Sequence, residues 1–172
     1  RSWIAPFMMA GINTKIVRRS NALGGYHYGK NFTYDETVMT GDGLKGRIRA
    51  AIYVIPLLFL SSKPGSFLKK ISNLFTPKPG QGPSKNEREN GYFSMRFYIR
   101  YNDKSRALVR VTGDRDPGYG STSKMLAESA ICLSKDTLKD LYGVITPSIA
   151  MGDKILDRLQ AKAGLTFKFI ES

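Results

Sequence analysis

YFSMRFYIRY, Tyr92 to Tyr101, and RALVRVTG, Arg106 to Gly113, alternate apolar and polar side chains on either side of Asn102 and Asp103. A period of two belongs to extended chain, and Asn-Asp between two such runs is turn chemistry, so the pair reads as a β-hairpin. Two helical patterns follow. In STSKMLAESAICLS, Ser121 or Thr122 is placed to cap the first N–H groups, and Met125, Leu126, Ile131 and Leu133 supply the side to be buried. In TPSIAMGDKILDRLQAKAG, Thr146 is the expected N-cap, with Pro147 at the first helical position, where its missing N–H costs nothing. Ile149, Ile155, Leu156 and Leu159 make its stripe, Gly164 ends it, and LTFKFI closes the chain as a strand. Strands and helices segregated in this way predict an α+β fold, a mainly antiparallel sheet packed by helices.

Working back toward the start, residues 76–90 read as an irregular loop and residues 47–75 as an apolar, basic helical segment. FTYDETVMT, Phe32 to Thr40, reads as a strand. Between strand and helix lies TGDGLKG, in which Gly41, Gly43 and Gly46 spell G-x-G-x-x-G. A dinucleotide-binding loop also needs an acidic residue about 20 positions on, for the ribose. Ser61 to Lys70 holds neither Asp nor Glu, and Pro56 interrupts the apolar run where a buried parallel strand should be approached. The triplet therefore reads as an ordinary turn, and the chain as one without a complete Rossmann domain.

The 172 residues suffice for one ordinary core, so a single domain over 1–172 is the expectation. His27 is the only histidine and Cys132 the only cysteine. A zinc cage, a Cys-His couple or a Ser-His-Asp triad needs ligands or a base that this composition hardly supplies, so no metal is expected. Cys132, inside an apolar helical pattern, reads as a small core residue. The net charge is +13, and all the excess lies in residues 1–110, which hold 19 Lys and Arg against 6 Asp and Glu. Such a field attracts phosphate on nucleic acid, anionic lipid or an acidic partner without choosing among them. The chain begins at Arg1 rather than Met, which implies processing or membership of something longer; Trp3 to Ile12 is too short for a signal peptide.

Ala50 to Leu60 is an uncharged run, about 16 Å long if helical, against roughly 30 Å of bilayer hydrocarbon. It is too short to span. One reading is a buried core helix. The other is an interfacial segment, flanked by Arg47, Arg49, Lys63, Lys69 and Lys70 and extended by Phe67 and Phe75, that meets an anionic membrane surface or a large protein complex. A nucleic-acid arm is the third, although no RNA-binding signature is present.

The ordered combination D-P-G-Y-x-S-T-x-K-M-L-x-E-S-A, from Asp116, followed by G-x-x-T-P-x-x-A-M-G-D, from Gly143, resembles the C-terminal part of the saccharopine dehydrogenase-like oxidoreductases, in the branch that includes trans-acting enoyl reductases. The resemblance implies an upstream dinucleotide-binding domain that binds NADP or NAD and a parent that reduces an unsaturated or imine-like substrate. This chain would supply the substrate-side or interaction domain, bind no cofactor by itself and not be catalytic alone. Asp116, Gly118, Tyr119 and Thr122 become candidates for holding an anionic group at a helix N-terminus, with Tyr119 a candidate proton donor; a turn with a capped helix is the structural reading of the same residues. The resemblance also implies an intracellular, membrane-associated setting, a mitochondrion or lipid-rich organelle included. An accessory subunit of a large complex and a basic RNA-associated protein are the competing classes.

Overall fold

The structure, a computed structural model, describes residues 2–61, 80 and 82–170. Lys63, Phe67, Lys69, Lys70 and Phe75 of the expected interfacial segment lie outside the described residues. The chain divides into two compact units, Arg1–Gln81 and Gly82–Ser172. The class is α+β: two small antiparallel sheets with helices, and no Rossmann fold among the described residues.

The first unit runs β1 (Ser2–Pro6), α1 (Ala10–Leu23), β2 (Thr37–Asp42) and α2 (Gly43–Ser61). β1 and β2 pair antiparallel, with an irregularity between Trp3 and Ile4. The expected strand at Phe32–Thr40 is shorter and shifted, because Phe32 to Glu36 has no strand partner. Asn21, buried near the end of α1, explains the fold of the connection: its Nδ2 donates to the Gly29 carbonyl at 2.9 Å and its Oδ1 accepts the Tyr28 N–H at 3.0 Å.

The glycine triplet does follow a strand and open a helix, but among the described residues β2 pairs only with the antiparallel β1, and they form no βαβ crossover. Gly46 sits inside α2, where an added Cβ would strike the Gly41 carbonyl and meet the Trp3 ring at 3.2 Å. The Thr40 hydroxyl lies 3.1 Å from the Trp3 carbonyl and 2.9 Å from that of Gly46, joining strand to helix. The third glycine is thus required by the close packing of α2 on β1 and β2, while a Cβ at Gly43 would meet no neighbouring atom.

The second unit opens with a short helix, α3 (Lys85–Asn90), where an irregular loop was expected. Ser84 and Glu87 explain it: each side chain satisfies the other's backbone N–H, a capping box that stabilises a helical start even in a Pro- and Gly-rich connection. β3 (Phe93–Arg100) and β4 (Arg106–Gly113) form the expected hairpin, and β5 (Leu165–Ile170) pairs with the other edge of β4. At the turn, the Asp103 carboxylate accepts the Ser105 N–H at 2.9 Å and its hydroxyl at 2.6 Å. α4 (Gly120–Lys135) and α5 (Pro147–Lys162) connect β4 to β5.

One face of the sheet carries Phe93, Phe97, Val109, Val111, Leu165 and Phe167, which pack with Met125, Leu159 and Ala163. A second cluster joins Cys132, Met151 and Ile155, and Leu159 belongs to both. Cys132 is buried, as its pattern predicts. The expected buried side of α4 needs correction, since Leu126 is 70% exposed, Leu133 58% and Ile131 40%. The inward line is Ser121, Met125, Glu128 and Cys132, spaced four, three and four residues apart, because polar bonds described below hold that face toward α5. α5 is broken at Gly152 (φ 52°, ψ −137°), which changes the helical phase. Met151 is buried in consequence, while the expected Leu156 turns outward. Thr146 is the N-cap residue of α5 by position, without a side-chain capping bond, and Gly164 follows its end in left-handed conformation (φ 71°).

Candidate functional site

The polar turn Asp114–Gly120 brings Asp116, Gly118, Tyr119 and Thr122 together at the start of α4. The Asp116 carboxylate accepts three backbone N–H groups, from Gly118 at 2.9 Å, Tyr119 at 3.1 Å and Gly120 at 2.5 Å. Those bonds, the one from Gly120 foremost, and the nearby Arg88 charge hold its carboxyl below the usual carboxylate range. Asp116 thus does the capping expected of Ser121 or Thr122. Ser121 is fully buried and donates to the Arg115 carbonyl at 3.1 Å, and Thr122 donates to that of Pro117 at 2.6 Å.

Close backbone approach sets this corner. The Asp116 N–H donates to the Arg88 carbonyl, tying the turn to α3, and a Cβ at Gly120 would come 2.6 Å from that same carbonyl. Asp114 is paired with Lys124 at 2.7 Å and its carboxylate lies where a Cβ at Gly164 would sit, so a side chain there would have to push it aside. The helix N-terminus therefore already holds an anion, Asp116 itself, and an incoming phosphate would have to compete for the same N–H groups. Tyr119 stands at the tip, 57% exposed.

Two other groups have no sequence motif of their own. Arg158 on α5 forks onto Asp136, with Nε and Nη2 each at 2.7 Å, and reaches Glu128 at 3.1 Å, locking α4 to α5. Arg158 first, then the Cys132 thiol, holds the Asp136 carboxyl down at about 2 from 3.8, while burial first and Asp136 second push the Cys132 thiol up. A depressed carboxyl stabilises the fold above its unfolded value and ceases to as pH falls through the folded one. Asp136→Asn is therefore expected to be less stable than the native chain at neutral pH, with the gap closing between about pH 4 and pH 2, in a series of melting temperatures against pH.

The second group is in the other unit. Tyr34 donates its hydroxyl to Glu36 at 2.8 Å, and Asn13 donates to the same carboxylate at 2.8 Å. Burial first, then Glu36, raises the phenol, keeping it protonated at neutral pH. It borders a shallow hollow of about 460 Å³ lined also by Thr14, Arg18 and Asp35. Phenol, carboxylate and amide lie 23 positions apart at most, across α1 and a non-strand segment, and no local pattern marks them.

Arg47 and Arg49 lie on α2, and their helix presents Leu44 (71% exposed), Ile48, Ile52 and Ile55 to solvent at helical spacing. Among the described residues no helix is long and apolar enough to cross a membrane, and no group of His, Cys, Asp and Glu is arranged to hold a metal. The described residues thus define an α+β module with a carboxylate-capped corner, an open apolar helix face and no Rossmann fold.

Comparison with known proteins places enoyl reductases beside it. A Mycobacterium tuberculosis (strain ATCC 25618 / H37Rv) protein, carrying a provisional name as a trans-acting enoyl reductase, is 39% identical over 176 residues, covering 96% of this chain and 41% of the relative. Proteins named trans-acting enoyl reductase from Mycobacterium ulcerans (strain Agy99) and Mycobacterium bovis (strain BCG / Pasteur 1173P2) are 37% and 38% identical, each covering 91% of the chain and 39% of the relative. The chain spans about two fifths of the length of these relatives. No family model matches it, and no solved structure does.

Proposed function

We propose that this chain is the C-terminal, substrate-side part of a trans-acting enoyl reductase-like enzyme, in which an upstream domain binds NADP or NAD and an unsaturated acyl group is reduced. One observation carries the reading: the similarity to enoyl reductases runs through at least 91% of the chain but through only about 40% of each relative. The remainder of such a protein is long enough for a dinucleotide domain, and the Gly41–Gly46 turn here follows a strand paired antiparallel rather than opening a βαβ unit. On this reading the chain holds substrate or partner, and the reduction is completed by the missing half. The open stripe Leu44, Ile48, Ile52 and Ile55, edged by Arg47 and Arg49, supports a contact between α2 and either that half or an anionic bilayer.

The test is a chimera in which this chain replaces the matching segment of the M. tuberculosis relative. It is expected to consume NADPH when given an α,β-unsaturated acyl thioester, while the relative truncated before the segment does not and this chain alone binds no NADPH. Flotation of the chimera with phosphatidylglycerol vesicles, with and without Arg47→Glu and Arg49→Glu, reports on the membrane contact. A folded but inactive chimera, or NADPH bound by the isolated chain, would overturn the proposal.

A further inference from the structure

The second face of the β3-β4-β5 sheet, opposite the one that packs on the helices, has an order that neither the corner nor the reductase reading uses. The strand register lays its side chains in four rows across the strands. Ser94, Thr112 and Thr166 form the first. Arg96, Arg110 and Lys168 form the second, Tyr98, Leu108 and Ile170 the third, and Arg100 with Arg106 the fourth. Neighbouring residues in a row are about 5 Å apart, and successive rows are about 7 Å apart. All five cations are exposed, and among the described residues this face carries no Asp or Glu.

Like charges directly opposite one another on a sheet are destabilising, yet here Arg96 faces Arg110, Arg110 faces Lys168, and Arg100 faces Arg106. The hydroxyl row offers no compensating charge: Arg110 Nε donates to Ser94 Oγ at 3.1 Å, and the Thr112 and Thr166 hydroxyls are 2.6 Å apart. Arg96, Arg100, Arg110 and Lys168 have no ion-pair partner among the described residues. Repulsion of this kind is relieved by an anionic occupant, and it excludes a second copy of the same face.

We propose that this face docks an acidic amphipathic helix of a partner protein. The row of Tyr98, Leu108 and Ile170 is the reason. Tyr98 is 69% exposed while Leu108 and Ile170 are half-buried, so they make a low apolar strip between two cationic banks about 14 Å apart. A helix about 10 Å across, lying over that strip, sets an apolar stripe on it and carboxylates against both banks, where arginines bind them in forked pairs. Single-stranded nucleic acid calls for successive aromatic platforms, and this face has one. A bilayer calls for protruding apolar side chains, and two of these three are recessed. The inference does not depend on the reductase reading.

The experiment uses the whole chain and a synthetic helical peptide of about four turns, with a leucine stripe flanked on both sides by glutamates. Its controls are a scrambled peptide of the same composition, an oligo-dT of similar charge and phosphatidylglycerol vesicles. By fluorescence anisotropy at physiological salt, the striped peptide is expected to bind at least about tenfold more tightly than the scrambled one. Arg96→Ala with Arg110→Ala is expected to weaken it about tenfold or more, and Tyr98→Ala severalfold. The melting temperature of the double arginine variant, which relieves repulsion, should be equal to or above that of the native chain. Equal binding of both peptides would show bulk attraction only and overturn the proposal. So would tighter binding of oligo-dT or vesicles at the same residues, no peptide binding at all, or indifference to the double substitution in a folded protein.

Discussion

Gly164→Ala is expected to cost the second unit about 2–4 kcal/mol, from two sources of similar size. The residue has φ 71°, a conformation that costs an L side chain roughly 1–2 kcal/mol. Its new methyl group would also run into the Asp114 carboxylate, which Lys124 holds in place at 2.7 Å. Urea denaturation separates the two. In an Asp114→Ala background the steric part should vanish, and the remaining loss should fall to about 1–2 kcal/mol. An undiminished loss would show that the backbone alone sets the requirement for glycine.

Met151→Ala is expected to cost about 2–5 kcal/mol. The side chain is 4% exposed, packed with Cys132 and Ile155, and it ends the short helical segment before the break at Gly152. That fixed position leaves the surroundings little freedom to collapse into the space, which puts the cost toward the upper part of the range. The vacated volume lies beside a fully buried thiol. A disulfide-exchange reagent should accordingly label Cys132 faster in the variant under native conditions. Unchanged labelling together with unchanged stability would mean that the cluster had closed over the gap.

The hairpin, both helices and the last strand could be read from the sequence because each is specified locally: period-two alternation, Thr146-Pro147 at a helix start, Gly164 past a helix end. The failures are those of neighbourhood. Leu126, Ile131 and Leu133 satisfy an apolar stripe, but Arg158, 22 positions from Asp136 and 30 from Glu128, pulls the other side of α4 inward. Asp116 lies four residues before the first helical residues it caps, beyond the usual window for a cap, so Ser121 and Thr122 took its place in the reading. The cationic rows were present in every second residue of three strands. They became a pattern only when the register set Arg96 beside Arg110 and Lys168. The match to enoyl reductases was legible as a motif at the corner, whereas Tyr34 and its partners had no motif to show.

The first unit differs from the second in how its interior is made. Among its described residues the buried positions are Ala5, Asn21, Thr40, Gly46 and Ala50, while large apolar side chains of α1 and α2, such as Ile12 and Ile52, face outward. Unfolding these described residues exposes little hydrocarbon that was not already wet, so what they add to the heat-capacity increment is small. Their share of the free energy therefore runs nearly straight in temperature rather than domed, and cooling strengthens it where an apolar core would already be losing its advantage.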